Sequence, residues 1–171
     1  MLRLAKAFWE LALWRMSPAQ LPASVFLLSI VAGIVALLEV LGALLPPTST
    51  EWIATRIALS VGLPLAWTWT VLMIARHRER FLQTAIALLG IGALRQLVMY
   101  PLDSLLQSLG SLHPIATPLV FALLVGLVWY MLACANVWRA ALNSGLVVGV
   151  AVSLGYLAVS ILLEQSLIPD V

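Results

Sequence analysis

An all-α, polytopic membrane bundle is the fold class this sequence predicts, and three observations predict it. Of 171 residues, 63% are hydrophobic and 9% charged, with a mean hydropathy of +1.09, an apolar share far above that of soluble domains. The apolar residues gather into five runs, each near the roughly 20 residues that a helical crossing needs. Basic residues concentrate on alternate connections between those runs, the asymmetry that orients membrane helices. One membrane domain over residues 17–171, preceded by a helix over 1–16, accounts for the whole chain.

The chain begins MLRLAKAFWELALW. At about 100° per residue, Arg3, Lys6 and Glu10 fall on one arc, with Leu4, Phe8, Leu11 and Ala12 opposite. This predicts an amphipathic helix lying in the membrane interface, where the indoles of Trp9 and Trp14 fit; packing on the bundle is the other reading of the same pattern. The basic start resembles a signal peptide, but Glu10 interrupts its apolar core, so the segment is expected to be retained.

Ser17-Pro18-Ala19-Gln20 offers an N-cap, a proline at the first helical position and a capping-box glutamine, which predicts the start of a helix. The first span follows at 21–45 and ends at Pro46-Pro47. The second covers 53–75, and the run Arg76-His77-Arg78-Glu79-Arg80 separates it from the third, at 81–100. Pro101 is expected to end the third span. The connection 102–117 carries Asp103, Gln107, Gly110, His113 and Pro114, which argue against a crossing, and a short interfacial helix is expected over 102–109. The fourth and fifth spans cover 118–138 and 145–163. With alternating spans, Arg3, Lys6, Arg15, Arg76, Arg78, Arg80 and Arg139 share one side, and Arg56, Asp103, Glu164 and Asp170 the other. The N-terminus is therefore expected in the cytoplasm and the C-terminus outside.

Glu39 and Arg95 interrupt apolar runs, and a charge at membrane depth needs a partner or a task. At 1.5 Å per residue, Glu39 lies about 9 Å inside residue 45 and Arg95 about 7.5 Å inside Tyr100, so the two share a level. A Glu39–Arg95 ion pair is the expectation, with Gln96 or Tyr100 satisfying what remains and Arg56 as the competing partner. The plain reading is a structural pair, because no further acidic or basic group joins this level; the other is a coupling or substrate site.

Gly145-xxx-Gly149-xxx-Ser153, Ser29-xxx-Gly33 and Ala122-xxx-Gly126 have the spacing that lets helix backbones approach closely. Gln83, Thr84, Asn136 and Asn143 are expected to form a polar cluster between helices. Arg76, Arg78 and Arg80 are expected to form a cytoplasmic basic loop that contacts anionic head groups. Cys134, the one cysteine, excludes an intrachain disulfide and reads as a packing residue. His77 and His113 lack ligand-spaced neighbours, and nothing in the sequence suggests a metal, a cofactor or nucleic acid.

Three stretches carry a resemblance: LRLAKAFWELALWRMSPAQLPAS, RERFLQTAIALLGIGALRQLVMYPLDSLL and VWYMLACANVWRAALNSGLVVGV. Together they resemble the Yip1-domain family, in particular its bacterial members: an amphipathic lead-in with a proline-marked entry, a basic-aromatic third helix with a distal proline, and a short basic turn between the fourth and fifth helices. The resemblance implies five spans, a cytoplasmic N-terminus, no catalysis and, for a bacterial member, the inner membrane. It transfers no site residue, and the long N-terminal region of the Rab-associated eukaryotic members is absent from this sequence.

The sequence thus predicts a non-enzymatic membrane protein that organises the bilayer or binds a membrane-protein partner. The alternative is a small transporter, channel or exporter subunit that uses Glu39 and Arg95. A water-accessible cavity reaching Glu39 favours the alternative, and a dry, packed pair favours the first.

Overall fold

Leu, Ala and Val fill runs long enough to satisfy every interior backbone group by helix formation, which lipid demands of any spanning segment. The computed structural model describes residues 2–44, 52–109 and 113–168, which form helices and connections and no strand. α1 (Leu2–Ala12) leads through a 3-10 turn (Pro18–Gln20) to α2 (Val25–Leu44). α3 (Ile53–Ile57) runs through a π-helical turn (Ala58–Gly62) into α4 (Leu63–Ile74). A 3-10 turn (Arg78–Arg80) opens α5 (Phe81–Leu109), and α6 (Ala116–Leu142) and α7 (Leu146–Leu167) follow. Five helical segments are long and apolar enough to cross a membrane: Val25–Ala43, Ile53–Ile74, Arg78–Leu109, Ala116–Leu142 and Leu146–Leu167. Large apolar side chains such as Phe26, Phe121 and Val147 point outward, as lipid-facing surface does. Pro46, Pro47, Gly110 and Asp170, and the side chain of Arg3, lie outside the described residues.

Several boundaries differ from the sequence expectation for local reasons. Ser17 does cap a turn, its Oγ accepting from Ala19 N at 3.4 Å, but the helix stops after Gln20. Pro22 holds the preceding Leu21 in extended backbone (φ −75°, ψ 140°). The crossing helix restarts at Val25, where Ser24 Oγ accepts from Leu27 N. Pro101 does not end the third span: α5 continues through it to Leu109, absorbing the expected separate helix over 102–109. A proline costs the helix one N–H bond, and the turn beyond is supported by Gln107 Nε2 donating to Asp103 Oδ2 at 3.1 Å.

α5 is the central helix, with every residue from Thr84 to Ile91 buried, and α1, α2, α4 and α6 pack around it. Without a hydrophobic drive between helices in lipid, small residues set how closely they pack. On α7, Gly149 lies against the backbone of α6, where a Cβ would strike the carbonyl oxygen of Ala135. Gly145 of the same pattern and Gly33 of another face open space instead, and Gly126 meets Met99 of α5. α1 lays Phe8 on Gly90 of α5 and buries Leu11 and Ala12, leaving Lys6 and Trp9 exposed.

The near end of the bundle, where α1 packs, uses its polar groups to fasten helix ends. Arg80 donates to the carbonyls of Ala140 and Ala141 at 2.9 and 3.0 Å, satisfying the last turn of α6, so the three arginines do not act alike: Arg76 and Arg78 remain exposed. Gln83 Nε2 donates to Ala19 and Leu21 carbonyls, and Thr84 Oγ1 to the Arg80 carbonyl at 2.8 Å. Asn143 ends α6 in the left-handed region (φ 50°). No hydrogen bond joins these side chains to Asn136, so the expected polar cluster is not assembled.

Candidate functional site

Glu39 sits near the far end of α2, and its carboxylate is held by α5. Gln96 Nε2 donates to Oε1 at 2.6 Å and Tyr100 OH donates to Oε2 at 2.7 Å. Gln96 and Tyr100 are one helical turn apart, so one face of α5 supplies both donors. Gly42, one turn beyond Glu39, gives the Tyr100 ring its seat: a Cβ there would come within 2.5 Å of the ring. Both partners donate, an arrangement that suits a carboxylate, which only accepts.

The expected Glu39–Arg95 ion pair is not formed. The ion pairs within 4.0 Å among the described residues are Lys6–Glu10 and His77–Glu79. Arg95 is next to Gln96 in sequence and so points about 100° away around α5. Its guanidinium lies 5.0 Å from the centre of the Tyr130 ring of α6, a cation–π contact.

Glu39, Arg56 and Arg95 nonetheless share a setting. All three line a cavity of about 310 Å³ bordered by α2, α3, α4, α5, α6 and α7, a size within the range of ligand pockets. Its wall at α4 and α7 is closed by Trp67, whose ring stands edge-on to Tyr156 at 6.4 Å. The π turn opens beside it, and Ser60 of that turn is part of the lining. A proline ring clashes with the carbonyl four residues back in an α-helix, and the wider turn relieves Pro64 against Ser60. Such turns recur at functional sites.

Three lining residues carry buried polar atoms with no hydrogen-bond partner in the protein: Trp67 Nε1, Gln96 Oε1 and Ser153 Oγ. Gln96 is 5% exposed and Ser153 2%. Buried polar groups are satisfied in the great majority of cases; Asn136 Oδ1 and Ser144 Oγ, away from the cavity, are unpaired in the same way, so these sealed atoms make the region polar without singling out the cavity.

Sequence reasoning missed Ser60, Trp67, Tyr130, Ser153, Tyr156, Ser160 and Glu164, which also line the cavity. The signal for α7 was present: Ser153, Tyr156, Ser160 and Glu164 recur at helical spacing, a polar stripe on an apolar helix. It corrects the premise that no further charged group joins Glu39 and Arg95, since Arg56 and Glu164 do. Cys134 is buried as expected and forms part of the same wall. Among the described residues, no group of three His, Cys, Asp or Glu side chains is placed to hold a metal ion.

Compared with known proteins, the chain matches no protein-family model, no curated protein and no solved structure.

Proposed function

We propose that this is a non-enzymatic membrane protein that holds a small molecule inside its helical bundle, as a small transporter or a subunit of one does. One observation carries the reading: a cavity of about 310 Å³ reaches Glu39 inside the bundle and is lined as well by Arg56 and Arg95, neither of which has a carboxylate within 4.0 Å among the described residues. A structural ion pair would be packed dry, and it would join Glu39 to Arg95. The order of the two readings therefore reverses from that drawn on sequence alone.

The surroundings of the site keep their sequence-based reading within this proposal. The N-terminus is cytoplasmic and the C-terminus outside, in a bacterial inner membrane, as the basic asymmetry and the Yip1-domain resemblance imply. Arg76 and Arg78, both exposed, face anionic head groups, and α1 lies at the interface with Trp9 outward. A membrane-protein partner would dock on this same near end.

Water access to the cavity tests the reading. Ser160→Cys in a Cys134→Ala background is exposed to a small hydrophilic methanethiosulfonate, with Ala87→Cys, in the packed core, as the reference. Position 160 should react at least about a hundred times faster. Equal rates would mean a dry bundle and return the organising or partner-binding reading to first place.

A further inference from the structure

The chemistry of the lining specifies what the cavity takes. This step rests on the small-molecule reading above and adds the class of ligand. Of the polar side chains that line the cavity, Arg56 and Arg95 can only donate hydrogen bonds. Glu39, the acceptor that could have balanced them, already receives Gln96 and Tyr100. Neither arginine has a carboxylate within 4.0 Å among the described residues. A guanidinium without a carboxylate partner in an apolar span is costly, and this cavity is lined by two, from α3 and α5. Arg95 rests over the Tyr130 ring, and a guanidinium fork recognises the paired oxygens of a carboxylate or phosphate.

The charges set the ligand's sign. Two arginines and two acids line the cavity; Glu39 already accepts two hydrogen bonds and Glu164 is solvent-exposed near the end of α7, so the charges left without a partner are the two positive ones. Next to the charged groups, Leu88, Leu89, Met131 and Leu157 give the cavity an apolar wall. We propose that the cavity binds a small organic oxyanion, a carboxylate or phosphate ester with an apolar body, whose charged end lies between Arg56 and Arg95. A volume of about 310 Å³ is large enough for such a molecule or for one lipid head group.

The test is equilibrium binding to the purified full chain in neutral detergent, with 1-naphthoate, 1-naphthyl phosphate and octanoate as anionic probes and 1-naphthamide as the neutral control. At least one anion should bind saturably and at least ten times more tightly than the amide. Losing a hydrogen bond to a charged group should weaken it about ten- to a hundredfold in Arg56→Gln and in Arg95→Gln. If Arg95→Gln does not fold, Arg95→Lys, which keeps the charge and loses the fork, takes its place and should weaken binding less than Arg56→Gln. Competition by phosphatidylglycerol in nanodiscs would assign the oxyanion to a lipid head group, and absence of competition to a free organic acid; both support the proposal. Binding of the amide as tightly as the anions, or indifference to both arginines, overturns it. If no anion binds while Ser160→Cys is labelled, the anion proposal falls and the cavity reading stands; if neither occurs, both fall.

Discussion

Replacing Tyr100 with Phe separates the hydrogen bond to Glu39 from everything else Tyr100 does. The ring keeps its seat on Gly42, and the change removes only the hydroxyl that donates to Glu39 Oε2 at 2.7 Å. A hydrogen bond to a charged group contributes about 1.5–3 kcal/mol, whereas bonds between membrane helices average about 0.6 and reach about 1.7 kcal/mol. The short distance and the carboxylate acceptor place this bond where those ranges meet, at about 1.5 kcal/mol, or roughly tenfold in the unfolding equilibrium. Gln96 still holds the other oxygen, so the loss should not double. Unfolding of the full chain in mixed micelles, followed by helical signal, measures it. Combined with Glu39→Gln in a double-mutant cycle, Tyr100→Phe should show a coupling of about 1 kcal/mol. Arg95→Gln combined with the same Glu39 change should show less. If the Arg95 coupling is the larger, Glu39 and Arg95 are a direct pair and the arrangement described above is wrong.

Three further outcomes are expected. Gly149→Leu should cost about 1–3 kcal/mol, because its side chain meets α6 backbone that cannot yield, while Val147→Leu on the exposed surface should stay within about 0.5 kcal/mol; equal effects in the same unfolding assay would refute the close α6–α7 contact. Arg80→Gln should destabilise by about 1–3 kcal/mol by stripping the donor from two carbonyls of α6, and Arg78→Gln should be nearly neutral; the reverse order would restore a purely solvated loop. Cysteine introduced at position 6 should react with a water-soluble maleimide far faster than cysteine at position 8, since Lys6 is exposed and Phe8 is packed on Gly90; similar rates would mean that α1 does not dock on α5.

The helices were legible because lipid makes hydropathy and length nearly sufficient evidence for a span. Glu39 was legible for the same reason, as a charge where charges are expensive. Its partner was not, because depth arithmetic fixes a level along α5 and says nothing of azimuth. Arg95 and Gln96 differ by a rise of about 1.5 Å but by about 100° of direction, and direction decides which of them meets α2. Arg80 was misread for a related reason: its charge predicts a side of the membrane, while its hydrogen bonds depend on the end of α6, sixty residues further along the chain. The helical stripe on α7 was readable and overlooked, since serines in an apolar helix look like packing residues until a tyrosine and a glutamate join them at the same spacing.

The π turn at Ala58–Gly62 makes the cavity a matter of register. It accommodates an extra residue within a helix, and if the same residues wound instead as plain α-helix, α3 and α4 would join without the wide turn. Everything before the turn, Arg56 included, would then swing by about 100° relative to Trp67. The two could then no longer face the same space, although no side chain of the site had been altered. Substitutions that straighten the turn without touching these residues would be expected to keep the span and lose the far wall of the cavity. The winding of this segment is therefore as informative about the site as the identity of its residues.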